Sequence, residues 1–157
     1  MPEPGAPAPA PQAAPAGAAA PARALLAFDY GERHVGVAVG NTLLGQAQPL
    51  RTLSLTGDAR FAAIGALLQE WRPDALVVGV PFHPDGAEHE NTRRARRFAR
   101  QLHGRFGLPV FEVDERWSTT EALAQGGRAG QGAGLDALAA AVILEQYLNA
   151  GAVDAAA

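Results

Sequence analysis

The sequence predicts a mixed α/β domain in which an antiparallel meander runs into alternating helices and strands, all sharing one sheet flanked by helices. Three observations carry that expectation. Ala24-Leu25-Leu26-Ala27-Phe28 is a short apolar run of the kind that forms a buried strand. Just beyond it, Val35, Val37 and Val39 alternate with small residues at the strand period of two. From Asp58 onward the period becomes helical, and later apolar runs alternate with helical segments.

Taken in order, Asp29 to Arg33 is a turn between the first two strands. A third strand covers Ala47 to Leu53, and Pro49, lacking an N–H for the ladder, assigns it to a sheet edge. Phe61, Ile64, Leu68 and Trp71 fall on one face of a helix for which Asp58 is an available cap, and Pro73 ends it. Ala75 to Val80 reads as a strand covered on both faces. A basic helix follows His89, then a strand from Leu108 to Val113. Two further helices complete the chain, one opening at Ser118 with Glu121 as a capping box and one over Leu135 to Leu144.

The first 22 residues are Pro, Ala and Gly around a single acid, Glu3, and are expected to form a disordered tail. Residues 23–150 form the expected domain, and 151–157 a frayed end. No apolar run is long enough for a membrane span, and the N-terminus lacks the basic and apolar regions of a signal peptide. Cysteine is absent, which excludes disulfides and thiolate metal sites. A cytoplasmic address with no membrane partner is the expectation. The net charge is −3, yet all thirteen basic side chains are Arg, and six of them lie between Arg93 and Arg105.

Three acids stand at element ends. Asp29 follows the first buried strand, Glu115 comes two residues after the last strand, and Asp136 lies in the first turn of the final, apolar helix. Ligands of open α/β sheets bind beyond the carboxyl ends of the strands, so two of these acids are where a site belongs. The third reaches it if the last helix packs its N-terminus against that edge. Mg²⁺ takes oxygen ligands, commonly one or two carboxylates plus substrate phosphate oxygens. A pair of such ions about 4 Å apart can hold the attacking and leaving oxygens of an in-line phosphoryl displacement. Each acid also has a plainer reading: Asp29 as a turn former, Asp136 as a helix-dipole partner, Glu115 as an ion-pair partner of a surface arginine.

Four blocks in this order resemble the bacterial pre-16S rRNA nuclease family, also described as Holliday-junction-resolvase-like, of the ribonuclease H superfamily. They are Phe28 to Val39, Val78-Gly79-Val80-Pro81 with Asp85-Gly86, Val113 to Ala122, and Leu135 to Ala140. The resemblance spans about Leu25 to Leu148. It implies a five-stranded ribonuclease H-like sheet and a divalent-metal-dependent nuclease, with Asp29, Glu115 and Asp136 as catalytic, metal-binding acids for Mg²⁺ or Mn²⁺ in a two-ion site. It further implies action on the 5′ end of the small-subunit ribosomal RNA precursor. Branched DNA ranks second as substrate, pre-ribosomal particles are possible partners, and monomer and homodimer both stay open. A non-catalytic RNA-binding or ribosome-assembly factor is the remaining alternative. The sequence departs from the family in two places. Gly40-Asn41 stands where Ser-Asp is usual, which removes a helper acid, and the loop before Asp136 retains only Arg128 of its usual basic residues.

The substrate-facing candidates are Gly31, Arg33, Arg93, Arg97, Arg116 and Arg128. Arg93, Arg96, Arg97 and Arg100 oppose an apolar face of Ala95, Phe98, Ala99, Leu102 and Phe106 on one helix, a pattern suited to a phosphate backbone and equally to a solvated surface. Arg33 and Arg116 adjoin candidate metal acids. The four histidines show no zinc-ligand spacing, so no zinc is expected. No second phosphate loop or adenine-binding half is present for an actin-like ATPase, so no nucleotide cofactor is expected either.

Overall fold

The structure is a computed structural model and describes residues 23–115 and 134–150. The strands are β1 (Ala24–Asp29), β2 (Val35–Asn41), β3 (Ala47–Leu53), β4 (Ala75–Val80) and β5 (Val110–Asp114). The helices are α1 (Gly57–Trp71), α2 (Glu90–Phe106) and α3 (Leu135–Ala150). One sheet has the order β3-β2-β1-β4-β5. β1, β2 and β3 pair antiparallel, whereas β4 runs parallel to both β1 and β5. Meander and crossover share β1 in one mixed sheet, the class of fold that the sequence predicts. Pro49 lies on the edge strand, beside an irregularity where Val37 pairs with Arg51 and Ala38 with Pro49, so that Leu50 is bulged out of register.

Strand alternation divides the core into two halves. Leu26, Phe28, Val35, Val37, Leu76 and Val78 point to the side covered by Phe61, Ile64 and Leu67 of α1 and by Phe98, Ala99 and Leu102 of α2. Leu25, Ala27, Ala38, Ala75 and Val77 point to the other side, against Ala140, Ala141, Ile143, Leu144 and Tyr147 of α3. Small residues at Ala137, Ala140 and Ala141 let α3 settle close to β1, β2 and β3. Fully burying a Leu or Ile there contributes about 1.5–3 kcal/mol each, so α3 is held by apolar packing along its length. Its N-terminus is placed accordingly.

Several expectations are corrected. Asp58 does not cap α1: the cap position is Thr56, which makes no side-chain cap hydrogen bond, and Asp58 sits in the first turn 3.5 Å from Arg105. Leu67 rather than Trp71 completes the buried face, and Trp71 is exposed, because the turns before Arg72 and Pro73 carry it off the sheet. The strand expected from Leu108 begins at Val110, after Pro109. Asn41 is far from the acids. It pairs with Ala24, whereas Asp29 pairs with Gly36, so five residue steps, about 16 Å, separate them along the sheet. Asn41 Oδ1 accepts the Leu44 N–H at 2.8 Å, a turn role, and the departure at that position costs the site nothing. The N-terminal tail, the segment 151–157, Arg116, Arg128 and the helix expected from Ser118 lie outside the described residues.

Candidate active site

β1, β4 and β5 are parallel, so their carboxyl ends meet at one edge of the sheet. Asp29 ends β1 there, and Glu115 follows β5 directly. Asp29 shares the side-chain parity of Leu25 and Ala27, and Glu115 that of Phe111 and Val113, so both acids face α3. The first turn of α3 brings Asp136 to the same place.

What lets the three approach is a pair of glycines in register with Asp29. Gly36 is its partner on β2 and Gly79 its partner on β4. A Cβ at Gly36 would lie 1.8 Å from the backbone oxygen of Asp136, so the start of α3 rests on the bare backbone of β2. A Cβ at Gly79 would lie 2.7 Å from Glu115 Oε1 and 2.3 Å from Ile143 Cδ1. The missing side chain of Gly79 is therefore the space that Glu115 occupies. Glycine inside a strand signals such close approach, and this cue in Val35-Gly36-Val37 and Val78-Gly79-Val80 was there to be read.

Glu115 and Asp29 share a hydrogen bond. Burial pushes the Glu115 carboxyl up to about 9, helped by the hydrogen bond to Asp29 and by the charges of Asp29 and Asp114. Burial also raises Asp29, and the negative charge of Asp136 adds to it, while the hydrogen bond from Glu115 works in the opposite direction. Glu115 thus holds its proton more tightly than an ordinary carboxyl does, and that proton faces Asp29.

Glu115 and Asp136 line a cleft of about 480 Å³ together with Gly31, Arg33, His34 and Asn91. Arg33 is exposed at its rim. Gly31 makes the turn possible, since a Cβ there would lie 2.5 Å from the His34 carbonyl oxygen. That turn is clamped from both helices: Arg60 of α1 donates to the Glu32 carbonyl at 2.8 Å, and Arg94 of α2 pairs with the Glu32 carboxylate. Pro81 also lines the cleft, and its carbonyl accepts from the Thr92 hydroxyl of α2. Asp85 makes an ordinary turn by accepting the Ala87 N–H at 2.9 Å. Arg93 and Arg97 are both exposed, Arg97 lining a separate cleft and Arg93 lining neither. The basic run of α2 is partly neutralised, because Arg94 pairs with Glu32 and Glu90, and Arg96 with Glu88 and Glu112.

Among the described residues, no three His, Asp or Glu side chains converge closely enough to make a ready cage for a metal ion. The donor set nonetheless fits a hard cation. The carboxyls of Asp29, Glu115 and Asp136 are oxygen donors of the kind Mg²⁺ and Mn²⁺ take, and a bound cation would lower the carboxyl values that burial raises.

A consequence for stability follows from the sign of the Glu115 shift. The folded chain holds a proton that the unfolded chain loses near 4.5, so stability falls as pH rises from there through about 9. In the absence of divalent cations, Glu115→Gln is expected to flatten that fall. At the alkaline end it should stabilise the fold by about 1–3 kcal/mol, less than the whole shift because the carboxyl is only half-buried. Melting temperatures measured in chelator across this range check it, and parallel curves for the two proteins would contradict it.

A five-stranded mixed sheet in the order β3-β2-β1-β4-β5, flanked by helices, is a ribonuclease H-like fold. A solved structure of Thermus thermophilus RuvC shares the fold at a TM-score of 0.52 with 19% identity, covering 84% of this chain and 99% of that one. A family model described as "RuvX: Holliday junction resolvase" matches residues 23–150, and the chain belongs to that family. Curated relatives are similar over most of their length. A protein of Albidiferax ferrireducens is 64% identical over 124 residues, 79% of this chain and 76% of that one. One of Polaromonas is 61% identical over 124 residues, 79% of this chain and 86% of that one. Both carry the name "Putative pre-16S rRNA nuclease".

Proposed function

We propose that this chain is a divalent-metal-dependent nuclease that hydrolyses phosphodiester bonds in the cleft of Asp29, Glu115 and Asp136, with the precursor of 16S ribosomal RNA as its substrate in the cytoplasm. The observation that carries the reading is the Asp29–Glu115 pair, with Glu115 and Asp136 in the wall of a cleft that Arg33 also lines. The names of the two relatives supply the substrate.

Asp29, Glu115 and Asp136 would hold Mg²⁺ or Mn²⁺. When bound, such ions activate water and stabilise the departing oxygen of an in-line displacement. The chain's own residues bind and orient. Arg33 at the rim offers a planar guanidinium to a phosphate of the scissile strand, and the backbone at Gly31 lets that strand approach. Arg93 and Arg97 add exposed positive charge on α2, and Arg116 and Arg128 complete the set on the segment between β5 and α3. The proton that Glu115 shares with Asp29 competes with a cation for the same oxygens. At subsaturating Mg²⁺ the cleavage rate is thus expected to rise from about pH 6 to about pH 9. A rate independent of pH at limiting metal would contradict that competition.

The family description favours a second reading, cleavage of branched DNA. Purified protein offered a labelled 16S precursor, a single-stranded oligonucleotide and a four-way junction, each with Mg²⁺ or Mn²⁺, separates the two. The first reading expects cleavage of the precursor well above that of the junction. Preference for the junction transfers the assignment to the second, and cleavage of neither removes both.

A further inference from the structure

A second cleft of about 370 Å³ opens between the N-terminal end of α1 and the middle of α2, and it shares Tyr30 and Glu32 as walls with the acidic one. Its wall holds Arg60, which is only 5% exposed. Arg60 Nε donates to the Leu55 carbonyl and Nη2 to the Glu32 carbonyl, both at 2.8 Å, and the guanidinium stacks over Tyr30 with its carbon 5.6 Å from the ring centre. Carbonyls take two of its five hydrogens and bring no counter-charge: among the described residues no carboxylate lies within ion-pair distance of it. Burying a cation without a counter-charge is costly, and a neutral amide could make the same bonds to carbonyls.

Three arginines face this cleft, Arg60, Arg94 and Arg97, against one acid, Glu32, which is already paired with Arg94. Arg97 is exposed and has no ion pair among the described residues. Gln101 adds an amide one turn along α2. At the opposite wall Thr56 and Gly57 open α1, and Thr56 makes no side-chain cap hydrogen bond. Asp58 in that first turn weakens the attraction for anions, but it is fully solvated and 3.5 Å from Arg105. The charged side chains lining the cleft sum to a positive charge, and guanidinium donors suit a phosphate oxyanion.

We propose that this cleft is a phosphodiester subsite. It grips a backbone phosphate of the same strand whose scissile bond lies over Asp29, Glu115 and Asp136, with Tyr30 and Glu32 as the divide the strand crosses. The assignment rests on the nuclease reading above. It separates Arg97, which works inside a cleft beside a buried cation, from Arg100 on the same helix, which is exposed and lines neither cleft.

The test is binding of the full chain to a fluorescein-labelled single-stranded RNA of about 12 nucleotides, in chelator, by anisotropy over a series of salt concentrations. Arg97→Ala is expected to weaken binding about five- to ten-fold at low salt and to reduce the logarithmic salt slope by about 0.7, one phosphate contact on a single strand. Arg60→Gln, which keeps donors for the two carbonyls, should act in the same direction. Should it fail to fold, Arg97→Ala with Gln101→Ala carries the comparison, and melting curves report which case holds. Arg100→Ala should change binding less than two-fold. Equal losses at Arg97 and Arg100 mean a diffuse basic surface and overturn the subsite. So does wild-type affinity in Arg97→Ala, while the nuclease reading stands. Inorganic phosphate is titrated as a separate probe: Arg97-dependent phosphate binding with Arg97-independent RNA binding makes this a free-anion site and also overturns the proposal. Absence of RNA binding by the wild-type chain removes the nuclease reading and the subsite with it.

Discussion

Replacing Asp29 with Asn is expected to lower cleavage by about a thousand-fold or more, while the protein stays folded. Asn keeps the shape of Asp and an oxygen that can accept from Glu115, but it removes the one carboxyl whose charge acts on both other acids. Loss of charge at the centre of the cluster lowers its hold on cations more than loss at the rim. The fold should not suffer, because burial and the charge of Asp136 already disfavour ionised Asp29 in the native state. Melting is therefore expected to be unchanged or slightly higher, as at functional sites where chemistry and stability conflict. Single-turnover cleavage of a labelled precursor, read beside circular dichroism, checks both halves. Activity within ten-fold of wild type would take Asp29 out of the chemistry.

Gly36→Ala is the second large effect. A single methyl would lie 1.8 Å from a backbone oxygen of α3, an atom that cannot turn aside as a side chain can. Either the helix lifts off β2 or the strand shifts, and overpacking of this kind costs about 3 kcal/mol or more. The methyl also displaces the turn that carries Asp136, so activity should fall further than stability predicts. Gly104→Ala in α2 is the matched control. Nothing lies within 4 Å of a Cβ there, and a helix interior prefers Ala by about 1 kcal/mol, so that variant should be more stable than the wild type. Thermal melting of the two variants side by side separates close approach at Gly36 from a general intolerance of added methyls.

The fold was largely legible because period, breakers and one proline each spoke to a different level. Alternating valines marked β2, Pro73 ended α1, and Pro49 put β3 at the edge. Of the candidate site, the three acids stand out by their positions at element ends, and Asp29, Glu115 and Asp136 lie at one edge of the sheet. What was not legible depends on contacts across the sheet. The roles of Gly36 and Gly79 appear only once the register sets them beside Asp29. Asn41 stands where the family usually has an acid, yet antiparallel pairing sends that position to the far end of the sheet. Nothing in the helical pattern marks Arg60 for burial, which goes with its hydrogen bonds to the Leu55 and Glu32 carbonyls. His89 was read only as a boundary. Its ring accepts the Asn91 N–H at 3.1 Å and so caps α2, a role seldom assigned to histidine from sequence.

Nuclease chemistry at this edge of the sheet requires that these acids gather a cation. Titration calorimetry with Mn²⁺, on the wild type and on Asp29→Asn, Glu115→Gln and Asp136→Asn, asks that directly. Saturable binding by the wild type, weakened at least ten-fold in every variant while each still melts cooperatively, is the expected result. Undiminished Mn²⁺ binding in any two of the variants, or none by the wild type, would mean that the cluster is an acidic surface with no metal to hold.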